Sequence, residues 1–255
     1  MKRVIIIQAR MTSTRLPGKV LIDLAGKPML AQQLRRLQPC TAVDQIVIAT
    51  TVNDTDDPVV VLAEHEGLDV FRGSENDVLS RFVGAAAQSQ AEVIIRVTAD
   101  CPLIDAQVVD RVVRELTDNA GSCDYAGNVI QRSFPRGLDV EAFTHEALTR
   151  CDDLADTDEA REHVTLIIRQ AEPGMFTCRS VLDDKDNSNL RWTVDTPADL
   201  ELVRKIYADL RLGETCLDYR EILSYVRSHP ELMKINADSK TWDPVENSSD
   251  SESQS

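Results

Sequence analysis

The sequence predicts an α/β protein, a mostly parallel β-sheet with helices on both faces, folded as a single domain. Three observations carry that reading. Short runs of branched apolar residues recur at 4–7, 46–49 and 93–97. Amphipathic stretches with helix-start signals separate them, so strand and helix alternate up to about residue 118. The polar breaks Gln8, Thr50, Arg72 and Asp100 all follow strands, at the carboxyl ends where open α/β sheets bind ligands.

Taken in order, the first strand (4–7) stops at Gln8. Gly26-Lys27-Pro28 then leads into a helix, with Pro28 suited to its first position and Leu30, Leu34 and Leu37 on one face. The second strand, 46–49, ends at Thr50-Thr51, and Asp56-Asp57-Pro58 opens a helix with two carboxylates at its positive end. A short strand at 69–71 and the turn Arg72-Gly73-Ser74-Glu75 precede a helix at 77–89, which turns Val78, Leu79 and Phe82 inward. The third apolar run, 93–97, stops at Thr98-Ala99-Asp100. A helix from Asp105 follows, with a broad apolar face of Val108, Val109, Val112, Val113 and Leu116.

The second half is less regular. Strands are expected at 139–143, 179–182 and 191–194, and helices at 159–170 and 197–210. The last helix is well signalled by Thr196 as N-cap, Pro197 in the first turn and Asp199 three residues after the cap. The domain is expected to span 1–235, leaving 236–255, rich in Ser, Asp, Glu and Asn, as an acidic disordered tail.

The formal net charge of −15 over 255 residues argues against nonspecific nucleic-acid binding, which needs a basic footprint. The six cysteines form no C-x-x-C pair and no zinc-like spacing. No run approaches the ~18 apolar residues of a membrane span, and the start lacks a signal-peptide apolar region. A reducing cytoplasm is the simplest expectation.

Against that acidity, Arg10, Arg15 and Lys19 stand together in the loop directly after the first strand. Arginine offers planar bidentate recognition of phosphate and lysine a compact charge, so the loop is a candidate triphosphate cradle. Asp100 at the end of the third strand, and Asp195 in Trp192-Thr193-Val194-Asp195-Thr196-Pro197, are candidate Mg²⁺ ligands if they converge beside it. Each has an ordinary alternative, as a turn residue or as a neighbour of a helix cap. Phe134-Pro135-Arg136-Gly137-Leu138-Asp139-Val140-Glu141, with Glu162-His163, is the candidate acceptor region, although a surface turn entering a strand would read the same way. His65, His145, His229 and the cluster Asp183-Asp184-Asp186 read as ordinary surface or core residues.

Together these stretches resemble a known family. IIQARMTSTRLPGKVL, ATTVND, FRGSENDVL, RVTADCPLID, FPRGLDVEAF, REHVT and LRWTVDTPADLELVR stand in the order typical of the spore-coat polysaccharide cytidylyltransferases. That family lies within the group of CMP-sugar-acid synthetases that activate KDO and sialic acid, and the resemblance runs from residue 3 to about 210. It implies a GT-A-like (Rossmann-like) domain that transfers CMP from CTP to an acidic sugar or related acceptor with release of pyrophosphate. It also implies Mg²⁺ as cofactor and a homodimer.

By the same resemblance Arg10, Lys19, Asp100 and Asp195 are catalytic, and Asp100 and Asp195 hold the metal. The resemblance maps the triphosphate contacts onto Arg10, Arg15 and Lys19. Gln8, Ala9, Thr50, Arg72, Ser74 and Thr98 are further candidate nucleotide contacts, and Arg136, Asp139, Glu141, Glu162, His163 and Trp192 are candidate acceptor contacts read from the sequence itself. Thr98-Ala99 stand where the sugar-acid synthetases typically carry Gln-Gly, and the PRGLDVE element follows the spore-coat branch. Two rival readings fit the same residues. One is a glycosyltransferase of the same fold using a nucleotide sugar, which a D-x-D at the strand end would favour but Asp100-Cys101-Pro102 does not supply. The other is a non-catalytic nucleotide-binding protein.

Overall fold

The computed structural model describes residues 1–239. Nine strands and nine α-helices lie along them, helix and strand alternating from Met29 to Thr117. The strands are β1 (Arg3–Gln8), β2 (Asp23–Leu24), β3 (Lys27–Pro28), β4 (Gln45–Thr51), β5 (Asp69–Gly73), β6 (Val93–Thr98), β7 (Tyr125–Gly127), β8 (Glu141–Thr144) and β9 (Cys178–Ser180). The helices are α1 (Met29–Leu37), α2 (Asp57–His65), α3 (Val78–Ser89), α4 (Ala106–Thr117), α5 (His145–Leu154), α6 (Asp158–Glu162), α7 (Leu166–Gln170), α8 (Pro197–Asp209) and α9 (Tyr219–Ser228).

Seven strands form one sheet in the order β5-β4-β1-β6-β8-β7-β9. β5, β4, β1 and β6 run parallel, β8 is antiparallel to both β6 and β7, and β9 is parallel to β7. The alternation expected from the apolar runs is therefore the parallel half of the sheet.

β1 is an interior strand, between β4 and β6, and its side chains alternate between two cores. Ile5 and Ile7 join the core under α1, α2, α4, α8 and α9, whereas Val4 and Ile6 join the one under α3, α5 and α7. All four are fully buried, each contributing about 1.5–3 kcal/mol of transfer free energy. A strand apolar on both faces is what a sheet covered on both sides requires.

The caps follow local chemistry. Asp77 and Asp105 accept from the first backbone amides of α3 and α4. Thr196 and Asp199 form the reciprocal capping box of α8. Pro28 sits just before α1 and closes the two-residue hairpin of β2 and β3, rather than occupying the first helical position.

Elsewhere the structure departs from the sequence pattern. The helix expected at 159–170 is two short helices, α6 and α7, separated at Val164, whose φ of 44° takes a β-branched residue into the left-handed region. The stretch 191–194 is extended but makes only one bridge, Arg136 to Arg191, so it joins no sheet. The strand expected at 139–143 begins later, at Glu141, and the one expected at 179–182 is β9.

The tail boundary also shifts. Asn236 is buried and Ser239 hydrogen-bonds Thr196, so 236–239 belong to the fold, while the rest of the expected tail lies outside the described residues. All six cysteines are free thiols. Among the described residues, no helix is long and apolar enough to cross a membrane.

Candidate active site

β1 and β6 are parallel neighbours, and their last residues, Gln8 and Thr98, stand in register. The loop after β1 and the turn after β6 therefore open on one crevice. The loop is held by its own backbone: Met11 O accepts from Ser13 N and Gly18 N, both at 2.9 Å, and Met11 N donates to Asp56 at 2.7 Å. Gly18 has φ 68°, a left-handed conformation that starts the 3₁₀ turn Lys19–Leu21. That turn aims Lys19 inward, leaving its side chain 12 % exposed.

The Lys19 ammonium uses its three protons on three acceptors: Asp100 Oδ2 at 3.0 Å, Asp195 Oδ1 at 2.8 Å and the Val194 carbonyl at 2.9 Å. Burial alone would push Asp100 up. The Lys19 charge, with hydrogen bonds from Thr98 and Lys19, instead holds its carboxyl at about 2. The Thr98 hydroxyl donates to Asp100 Oδ1 at 2.5 Å. Burial likewise works against the Lys19 charge, and the two carboxylates outweigh it, so its pKa is raised.

Asp195 is gripped from two further sides, by Arg15 at 3.1 Å and by Arg191 at 2.6 Å. Arg191 is held in turn by the fully buried Asp199 at 3.1 Å. The third loop cation, Arg10, faces Glu75 at 3.7 Å and Glu162 at 4.0 Å.

Two clefts meet at this cluster. The larger, about 470 Å³, is lined by Gln8, Ala9, Arg10, Arg15, Lys19, Thr98, Ala99, Glu162 and others of the loop. The second, about 170 Å³, is lined by Arg96, Arg132, Arg136, Arg169, Arg191, Asp139, Glu141 and Thr193 among others. Thr98, Asp100, His163 and Asp195 line both. Burial holds the His163 imidazole below its ordinary value, so it is neutral at pH 7.

Most of the residues singled out in the sequence thus converge, though not all. Thr50 is buried, and Arg72 is used by the carbonyls of Thr51 and Asn53 and by Asp57, bracing β5 against the start of α2. Ser74 accepts from Asp77 N at the foot of α3. None of the three lines either cleft. The Trp192 indole is buried in the core behind the second cleft rather than presented to it. Glu162, expected on the acceptor side, lines the larger cleft. Glu141 does line the second cleft, but as part of its floor. It pairs with Arg96 and accepts from Tyr125 Oη at 2.8 Å and Thr165 Oγ1 at 2.6 Å.

Sequence reasoning passed over Arg96, Arg132, Arg169, Arg191 and Asp199. Arg96 carried a signal, a cation inside an otherwise apolar strand. Arg191 and Asp199 flank the Asp195 motif but read there as strand and cap.

The donor set suits a hard cation. Asp100 and Asp195 offer carboxylate oxygens, and Mg²⁺ is commonly held by one or two carboxylates together with substrate phosphates and water. Among the described residues no group of three or more His, Cys, Asp or Glu could form an all-protein metal cage. Two carboxylates held by one shared ammonium beside a cationic loop fit a metal that arrives with a polyphosphate.

Fold and comparison together place the molecule among the nucleotidyltransferases, on a Rossmann-like α/β fold. A model described as "Cytidylyltransferase" matches residues 4–218, and the chain belongs to that family. It is 34 % identical over 239 residues to the uncharacterized protein MJ1063 of Methanocaldococcus jannaschii, covering 93 % of this chain and 95 % of the relative. It is also 34 % identical over 210 residues to the spore coat polysaccharide biosynthesis protein SpsF of Bacillus subtilis, covering 79 % and 85 %, in keeping with the resemblance in the motifs. Among solved structures, a cytidylyltransferase from Leptospira borgpetersenii superposes with a TM-score of 0.87 at 31 % identity, over 95 % of this chain and 99 % of that one.

Proposed function

We propose that the protein transfers CMP from CTP to an acidic sugar or a related acceptor, releasing pyrophosphate. The observation that carries this reading is the meeting of the cationic loop, Asp100 and Asp195 at the point where two clefts join. The larger cleft would take the nucleotide, its triphosphate lying against Arg10, Arg15 and Lys19, each charge-assisted bond contributing about 1.5–3 kcal/mol. The second cleft would take the acceptor. Its five arginines, Arg96, Arg132, Arg136, Arg169 and Arg191, favour an anionic group even though several are engaged by carboxylates.

Asp100 and Asp195 would hold Mg²⁺, which when bound supplies charge stabilisation at the α-phosphate. The chain's own residues do the rest. Arg10, Arg15 and Lys19 bind the phosphates and stabilise the departing pyrophosphate. The arginine-lined cleft orients the acceptor oxygen for in-line attack on the α-phosphorus, and His163 stands at the boundary as a neutral hydrogen-bonding group. No protein nucleophile is needed. Cys101 in the second cleft is fully buried and its thiol is pushed well up, by burial and by Asp100, away from the reactive thiolate.

The sugar-acid acceptor is supported by a relative that acts on one. The 3-deoxy-manno-octulosonate cytidylyltransferase of Agrobacterium fabrum is 34 % identical over 125 residues, covering about half of each chain (47 % and 48 %). A homodimer belongs to the same reading and is tested by light scattering. The chemistry is tested by a pyrophosphate-release screen of CTP, UTP, ATP and GTP against a panel of acidic and neutral sugars. Release with CTP and an acidic sugar is expected. Release from a neutral sugar alone, or equal use of all four nucleotides, would overturn the assignment.

A further inference from the structure

We infer that residues 236–239, beyond the point where the family model stops, are a working part of the active site, with Asn236 positioning Asp195 through Asp199 and Arg191. This rests on the reading of Asp195 as a metal ligand. The Asn236 amide donates to Asp199 Oδ1 at 2.9 Å and to the Arg191 carbonyl at 3.0 Å. Asp199 Oδ1 also receives Arg191 Nε at 3.1 Å, while Oδ2 receives the backbone amides of Asp195 at 3.1 Å and Thr196 at 2.9 Å. The far end of the same guanidinium donates to Asp195 Oδ2 at 2.6 Å. Ser239 ties the segment down through the Thr196 hydroxyl at 3.0 Å.

The chemistry of Asp199 makes this more than a docked terminus. A fully buried carboxylate must have its lone pairs filled, or it takes another donor. Asn236 fills one of them with a neutral donor, so that Asp199 orients Arg191 without drawing it off Asp195. Without the amide, Asp199 has one guanidinium left to satisfy Oδ1. Arg191 is then pulled toward it, and Asp195 loses the donor that fixes its second oxygen. The segment also walls a pocket with Arg15, which brings it to the edge of the triphosphate loop.

The test uses the full chain, with Mn²⁺ as a spectroscopic probe of the metal site and CTP present, affinities being read by electron paramagnetic resonance and calorimetry. Asn236→Ala is expected to weaken Mn²⁺ binding about tenfold. In an Asp195→Asn background the same change is expected to have no further effect, since its route runs through Asp195. Unchanged Mn²⁺ affinity in Asn236→Ala, with or without a lower melting temperature, overturns the inference. An equal loss in both backgrounds does the same, since it marks a merely structural contact. If Asp195→Asn alone leaves Mn²⁺ binding intact, the metal reading of Asp195 fails and takes this inference with it. That result is distinguishable from a silent Asn236 in a protein whose binding does depend on Asp195.

Discussion

Lys19 Nζ donates to Asp100 Oδ2 at 3.0 Å and to Asp195 Oδ1 at 2.8 Å, so one ammonium joins two carboxylates that come from distant parts of the chain. In Lys19→Met those carboxylates would face each other without it. Triphosphate affinity should fall about tenfold or more, the loss of one charge-assisted contact. Mg²⁺ added without nucleotide should raise the melting temperature of the variant more than that of the parent, because it relieves the repulsion. Calorimetry with CTP and thermal melts with Mg²⁺ check both, and unchanged nucleotide affinity would remove the loop from the account.

Glu141 is a structural prediction rather than a catalytic one. Its carboxylate is buried on Arg96, Tyr125 and Thr165, and removing it takes from the half-buried Arg96 its ion-pair partner and from Tyr125 and Thr165 their shared acceptor. Glu141→Ala should therefore cost roughly 3–5 kcal/mol in denaturant unfolding. Burial raises its pKa, but Arg96 and Arg169 outweigh burial and the net shift is downward from 4.5. A carboxyl depressed on folding contributes stability that is present above its unfolded value and lost as pH falls through the folded one. The acid limb of the parent should accordingly be steeper than that of Glu141→Gln below pH 4.5.

Gly137 joins the two motifs of the second half. Its φ is 103°, and a Cβ there would lie 2.6 Å from Thr193 N and 2.7 Å from the Trp192 carbonyl carbon. The flanking backbone is already pinned by Arg136 N to Leu190 O at 2.9 Å and Trp192 N to Arg136 O at 2.6 Å. Gly137→Ala must push the 192–195 stretch away, so it should lower stability by about 1–3 kcal/mol and reduce turnover beyond that. Turnover equal to that of the parent at a temperature where both are folded would uncouple this turn from Asp195.

His163 gives a pH prediction by nuclear magnetic resonance. The chain has four histidines, and the imidazole signal lost in His163→Gln should be one that titrates below 6.5, because burial disfavours its charged form. For a base depressed on folding, the unfolded chain binds the extra proton first, so stability falls as pH drops below 6.5. The Gln variant should lose less stability over that window. A His163 signal titrating above 6.5 would contradict the burial account.

Much of the parallel half could be read from periodicity, because strands apolar on both faces and capped helices are local signals. Val4–Ile7, Asp105 and the Thr196–Asp199 box all behave as local chemistry dictates. The loop cations stand out as charge after a buried strand, whereas Asp100 and Asp195 read equally well as turn or cap residues until the family resemblance marks them. The second cleft is legible only in part: Arg136, Asp139, Glu141 and His163 line it, whereas its other arginines do not stand out. Arg96, Arg132 and Arg191 matter only because β8 returns antiparallel beside β6 and the Arg136–Gly137 turn grips the 190–192 backbone. Pairings across such separations leave no periodic trace. Thr50, Arg72 and Ser74 stand near strand ends, as ligand-binding residues do, but their side chains turn to the core or to the 51–57 and 74–81 turns. Position at a strand end shows which edge a residue occupies, while its hydrogen-bond partners decide whether it faces the cleft.

The central claim is that Asp100 and Asp195 form the metal half of a nucleotidyl-transfer site whose other half is the Arg10–Arg15–Lys19 loop. The most direct measurement is Mg²⁺-dependent pyrophosphate release from CTP with the best acidic-sugar acceptor, in the parent, Asp100→Asn and Asp195→Asn. The account predicts at least a hundredfold loss of turnover in each variant, on the order of what several kcal/mol of lost transition-state charge stabilisation gives, with cooperative unfolding retained. Parental turnover in a folded Asp100→Asn protein would contradict it.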